Sequence, residues 1–140
     1  MIKHIAVIGS GTMGNGIAHV CAQYGNTVSL IDISETSLEK AIKTITGNFD
    51  RMVTKGIVTT ADKDAAIQRI TTYTKLSDGV KNADLIIEAA SENESIKLGI
   101  FKELDSVCKA DATRISQRRQ YPGRTRISRS RCRTAAPNRN

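Results

Sequence analysis

The strongest constraint on this chain is the hexapeptide Gly9-Ser-Gly-Thr-Met-Gly14, which directly follows the apolar run Ile5-Ala-Val-Ile8. A continuous aliphatic run ending at glycine fits a strand buried on both faces of a parallel sheet. From Thr12 to Tyr24, Met13, Ile17, Val20, Cys21 and Tyr24 recur at helical spacing, and Gly25-Asn26 closes the segment with residues that tolerate a left-handed end. The hexapeptide therefore joins a strand to a helix. Each glycine has a reason there: Gly9 for the turn off the strand, Gly11 for close approach of the backbone to a ligand, Gly14 for close packing of helix on sheet.

A helix that opens on such a loop presents free N–H groups and partial positive charge, which suit a pyrophosphate. The pattern alone also describes an ordinary glycine turn, so its context matters. Thr27-Val-Ser-Leu-Ile31 reads as a second strand, and it ends at Asp32, 23 residues after Gly9. A carboxylate at that place accepts hydrogen bonds from the adenosine ribose and repels a 2′-phosphate, which favours NAD over NADP. The plainer reading of Asp32 is a helix cap or a solvated strand end.

Further along, Ser34 can cap a helix whose apolar face is Leu38, Ile42, Ile45, Phe49, Met52 and Val53, running to about Gly56. Thr60-Ala-Asp-Lys opens a shorter helix with Ala65, Ala66, Ile67 and Ile70 inward, and Ile70–Thr74 is β-prone. Thirty-eight residues separate Asp32 from Thr71, more than one compact crossover uses, so a helical hairpin is expected to project there. Ala83-Asp-Leu-Ile-Ile-Glu-Ala-Ala90 reads as another buried strand and 94–107 as a helix. Strands alternating with helices imply an α/β fold with a doubly wound parallel sheet of the Rossmann type, carrying a hairpin insertion after the second strand.

Charge divides the chain sharply. Residues 1–110 carry ten Lys and two Arg against thirteen acids, net −1, whereas residues 111–140 carry nine Arg and one acid, net +8. The overall +7 thus belongs to the tail. The tail also holds both prolines, Pro122 and Pro137, and only Ile115 and Ile127 as large aliphatics. We expect 113–140 to be disordered or loosely attached. Clustered arginine would suit nucleic acid, but Tyr121 is the tail's one aromatic, which disfavours a stacking surface. No apolar run approaches the roughly 20 residues of a membrane span, and the five-residue run before Gly9 is too short for a secretory signal, so a cytoplasmic protein is expected. Cys21, Cys108 and Cys132 have neither disulfide-framework nor metal-ligand spacing.

The blocks Gly9-Ser-Gly-Thr-Met-Gly-Asn-Gly-Ile-Ala-His-Val20, Ile31-Asp-Ile-Ser34, Ala83–Asn93 and Ile100-Phe-Lys-Glu-Leu-Asp105 resemble the 3-hydroxyacyl-CoA dehydrogenase family, in its bacterial 3-hydroxybutyryl-CoA branch. The resemblance covers residues 1–112 and implies an incomplete NAD-binding Rossmann domain. It implies that Gly9, Gly11, Thr12, Met13 and Gly14 surround the pyrophosphate of NAD and that Asp32 holds the ribose. It likewise gives Glu92 and Lys97 as cofactor contacts and aligns Lys55 with a lysine on coenzyme A phosphate. Read without it, Glu92, Lys97 and Lys55 are ordinary surface charges.

The implied activity is oxidation of a 3-hydroxyacyl-CoA to the ketone by hydride transfer to NAD, in fatty-acid or butyrate metabolism. The family is homodimeric through a C-terminal helical domain, which we expect to be absent here, leaving a truncated and inactive fragment. Its catalytic histidine and Asn-Thr-Ser-Ser block have no counterpart, so no catalytic residue is assigned. His4 precedes the core of the first strand and His19 sits inside the first helix, where a structural or surface role is expected; neither is assigned as a catalytic base. A binding module that senses NAD without chemistry is the other reading. A shift of reading frame after Asp111 would account for the arginine-rich tail: rebuilding codons from the third base of one and the first two of the next, Gln117–Tyr121 permits Thr-Ser-Ser-Ile, and Thr134–Asn138 permits Gly-Arg-Pro-Glu.

Overall fold

The computed structural model describes residues 2–89, 112–120 and 124–131. His4–Ile8 forms strand β1, and its side chains alternate between two apolar layers. Ile5 and Val7 pack on one side of the sheet with Ala18, Ala22, Leu38 and Phe49, while Ala6 and Ile8 pack on the other with Val80, Ala83, Ile86 and Ala112. A strand covered on both faces needs apolar residues at every position, which is why this run shows no polar alternation.

The elements follow in order: α1 (Thr12–Gln23), β2 (Thr27–Ile31), α2 (Glu35–Thr54), α3 (Thr60–Gln68), β3 (Ile70–Tyr73), α4 (Leu76–Val80) and β4 (Leu85–Glu88). The sheet order is β3-β2-β1-β4, all parallel, with Val7 between Leu30 and Ile87. This is the doubly wound architecture expected from the alternation of elements.

The hairpin insertion is present as α2 and α3, which pack on α1 and on each other. Leu38, Ala41, Ile45 and Phe49, at helical spacing over three turns, are all buried. They meet Ala18 and Ala22 of α1, small residues that let two helices approach closely. The ring of Phe49 stacks on that of His19, centroids 4.0 Å apart and 10° from parallel. Ser34 caps α2 through Ser37 N–H, and Thr59 with Asp62 forms a reciprocal capping box on α3. Lys63 of α3 pairs with Asp50 of α2. The short helix α4 had no counterpart in the sequence reading, because five residues are too few to display a period.

Beyond β4, the structure departs from the expectation of an unstructured tail. Thr113–Gln120 forms β5, parallel to β4, and Arg124–Arg131 forms β6, antiparallel to β5 at the sheet edge. Ala112 is fully buried beside Ala83 and Ile86, and Thr113 N–H donates to the Asp84 carbonyl at 3.0 Å. A strand ladder is made by backbone groups, so it forms even where side-chain periodicity gives no sign of it. The helix expected over 94–107 lies outside the described residues.

Candidate functional site

The chain direction reverses its side of attachment between β1 and β4, and the crevice at the C-terminal ends of these strands is where open α/β sheets hold ligands. The glycine loop fills that place. Gly9 N–H donates to the Ile31 carbonyl at 2.7 Å, extending the β1–β2 ladder one residue past the strand before the chain turns at φ 99°. Only glycine adopts that angle without strain. Gly14 sits so close to the loop that a Cβ would lie 1.7 Å from the Gly9 carbonyl oxygen. Loop and helix are thus packed backbone to backbone.

Gly11 is different in kind. Its φ of −66° and ψ of −169° suit any residue, and a Cβ there would meet nothing within 4 Å. Among the described residues no contact requires glycine at this position, whereas a ligand lying on the backbone would. Gly11 is the N-cap of α1 and offers no capping side chain; the first intrahelical bond runs from Asn15 N–H to the Gly11 carbonyl. The N–H groups of Thr12 and Met13, both exposed, precede that bond, and the first turn carries no acid to occupy them. These features fit a diphosphate.

Asp32 stands at the end of β2, beside the loop. Its Oδ2 accepts from Ser10 N–H at 3.0 Å and from the Ser10 hydroxyl at 2.7 Å, and its Oδ1 accepts from Ser34 N–H at 3.0 Å. Partial burial works against its charge, but the donors from Ser34, Ser10 and Ile33 outweigh it and hold the carboxyl below its usual range. Asp32 is therefore a fixed anion next to an electropositive helix end. Together the two can accept a diol and donate to a diphosphate.

Lys55 closes the C-terminus of α2, away from Asp32 along the chain's outer layer. It lines a groove of about 390 Å³ with Gly16, His19, Val20, Asn48, Arg51, Met52 and Ile57, one turn of α1 beyond the glycine loop. Arg51 donates to Asn48, so the groove carries two cations over an apolar floor. Glu92 and Lys97 lie outside the described residues. His4 is bonded to Ser29 at 2.6 Å within the sheet, and His19 is buried against Phe49. Both have the structural placement expected of them.

Three residues of the site were not singled out in the sequence. Ser10 occupies a free position of the glycine pattern, and only its 2.7 Å contact across 22 residues reveals it. Arg51 could have been found from its i, i+4 spacing to Lys55 on one helix face. Glu88 lies 1% exposed at the C-terminal end of β4, paired in register with Ile8 at the mouth of the crevice.

Comparison with known proteins agrees with this geometry. Residues 4–117 match the family model described as the NAD binding domain of 3-hydroxyacyl-CoA dehydrogenase, a match that runs five residues past the boundary read from the sequence. A 3-hydroxybutyryl-CoA dehydrogenase of Bradyrhizobium diazoefficiens is 46% identical over 112 residues, 80% of this chain and 38% of that protein. The solved 3-hydroxybutyryl-CoA dehydrogenase of Escherichia coli K12 superposes with a TM-score of 0.80 at 38% identity, covering 83% of this chain and 24% of that one. The (S)-3-hydroxybutyryl-CoA dehydrogenase of Ralstonia eutropha gives 0.79 at 38% identity, covering 83% and 41%. The chain thus spans less than half the length of these relatives.

Proposed function

The chain belongs to the 3-hydroxyacyl-CoA dehydrogenase family through its NAD-binding domain, and from that premise we propose that it is the cofactor-binding part of an enzyme oxidising a 3-hydroxyacyl-CoA to the 3-ketoacyl-CoA. NAD, when bound, supplies the hydride acceptor. The chain's own residues bind and orient it: the N–H groups at Gly11, Thr12 and Met13 hold the pyrophosphate, Gly9 and Gly14 hold the loop in shape, and Asp32 takes the ribose hydroxyls. Glu92 and Lys97 are proposed as contacts nearer the nicotinamide, and Lys55 as a contact to a coenzyme A phosphate. The two cations of the α1–α2 groove support the last assignment.

The observation that carries the reading is Gly11, a glycine at an uncapped helix start that no contact among the described residues explains. Calorimetric titration of the 140-residue chain with NAD tests it. Gly11→Ala should leave the unfolding free energy within about 0.5 kcal/mol of the parent and weaken NAD binding at least tenfold. Equal affinity of the two proteins would defeat the assignment.

We propose a domain boundary at residue 112, with 113–140 outside the functional body. A cytoplasmic location is proposed with it; among the described residues no helix is long and apolar enough to cross a membrane. The charge break at Asp111 supports a shifted reading frame in the tail. Sequencing the coding DNA decides this: a family-like continuation in the alternative frame is the expected result, and a stop or an unrelated sequence there excludes it.

A further inference from the structure

We propose that Ser10 is a positioning residue that clamps the Asp32 carboxylate to the glycine loop and thereby sets the preference for NAD over NADP. The inference rests on the reading of this loop as an NAD site. Ser10 is 5% exposed, so its hydroxyl needs a partner inside the protein, and that partner is Oδ2 of Asp32 at 2.7 Å. The same oxygen accepts Ser10 N–H at 3.0 Å. Two donors from one residue therefore fix a single carboxylate oxygen, and Ser34 N–H holds the other from the opposite side. An O–H donor at this distance to a carboxylate is a short, charge-assisted bond.

The consequence is a carboxylate with its orientation decided before any ligand arrives. The Oδ2 face is spent on the protein, so ribose hydroxyls must be taken on Oδ1. A 2′-phosphate meets a negative charge that is tied down at both oxygens and cannot rotate aside. Without the Ser10 hydroxyl, Oδ2 keeps one donor, the carboxyl is easier to protonate and freer to turn, and the repulsion that excludes the phosphate weakens. The clamp also joins the phosphate-binding loop to the ribose-binding strand end, so that both halves of the cofactor meet one connected unit. Ser10 touches no reacting atom in this scheme.

The test uses the whole chain with 13C-labelled aspartate, following the Asp32 carboxyl signal through a pH titration without nucleotide, and calorimetry with NAD and NADP. In Ser10→Ala the Asp32 titration should move to higher pH, and the ratio of NADP to NAD dissociation constants should fall about tenfold, the scale of one hydrogen bond to a charged group. Ser10→Cys keeps the side-chain volume with a weaker donor and should shift both readouts the same way by less. Ser10→Thr retains a hydroxyl and should restore both. An unmoved Asp32 titration or an unchanged ratio in the Ala and Cys variants overturns the inference. If the parent chain fails to bind NAD, the cofactor reading falls and the selectivity inference falls with it, whereas parent binding with unaltered variants defeats the inference alone.

Discussion

Around the β1–β2 pair, side chains and backbone specify the same structure, while at the β5–β6 edge a backbone ladder forms where the residue pattern gives no sign of strands. Around β1, Val7 and Leu30 are fully buried in register, and the turn beyond them uses glycines where the packing demands them. At the other edge, the antiparallel register sets Arg118 directly opposite Arg126. The first region is marked by its residue pattern, whereas the second is defined by its ladder and by Ala112, which anchors its start in the core. Agreement between levels of structure marks the part of this chain that carries function.

The largest expected effect that separates the two regions is Gly14→Ala. A Cβ placed 1.7 Å from a backbone oxygen cannot be accommodated by a side-chain rotation, so helix or loop must shift. A loss of about 3 kcal/mol or more in urea-unfolding free energy is expected, beyond the usual range for one added methyl. A variant with parental stability would show that the loop is not packed as described.

A smaller effect comes from pH. Burial lowers the pKa of His19 against a weaker opposing bond from Gln23, and among the described residues its Nδ1 has no hydrogen-bond partner. Phe49 stacks on it, and Arg51 and Lys55 of α2 are the charged groups beside it. A histidine kept neutral by folding contributes its full stability above its unfolded pKa, about 6.5, and loses it as pH falls below that value toward the folded pKa. Midpoints of urea unfolding between pH 8 and 5 should therefore decline, and His19→Gln should flatten the decline. The β5–β6 edge, whose charges are arginines, is expected to contribute nothing to this slope.

Much of the fold was legible in the residues. β1, β2 and β4 read as aliphatic runs because strands covered on both faces are largely apolar, and α2 was legible because Leu38, Ile45 and Phe49 repeat at one face. β5 and β6 were not, since hydrogen bonds between backbones leave no trace in a run of Arg and Ser. In the site, Gly9, Gly11, Gly14 and Asp32 were found by spacing. Ser10 was hidden because its role arises only when residues 22 apart in sequence meet. Spacing reveals what the backbone requires; contacts between distant side chains need the folded chain.

The central place of β1 has a further consequence for how the molecule opens. Its neighbours on both sides are parallel strands, and apolar layers cover both its faces. Amide protons of Ile5 to Ile8 should exchange with solvent only through global opening, while those of β3 and β6, each with one neighbour, exchange through fraying of an edge. Gly9, although outside the strand, donates to Ile31 and belongs with the slow group. The glycine loop is thus hinged on the last part of the domain to let go.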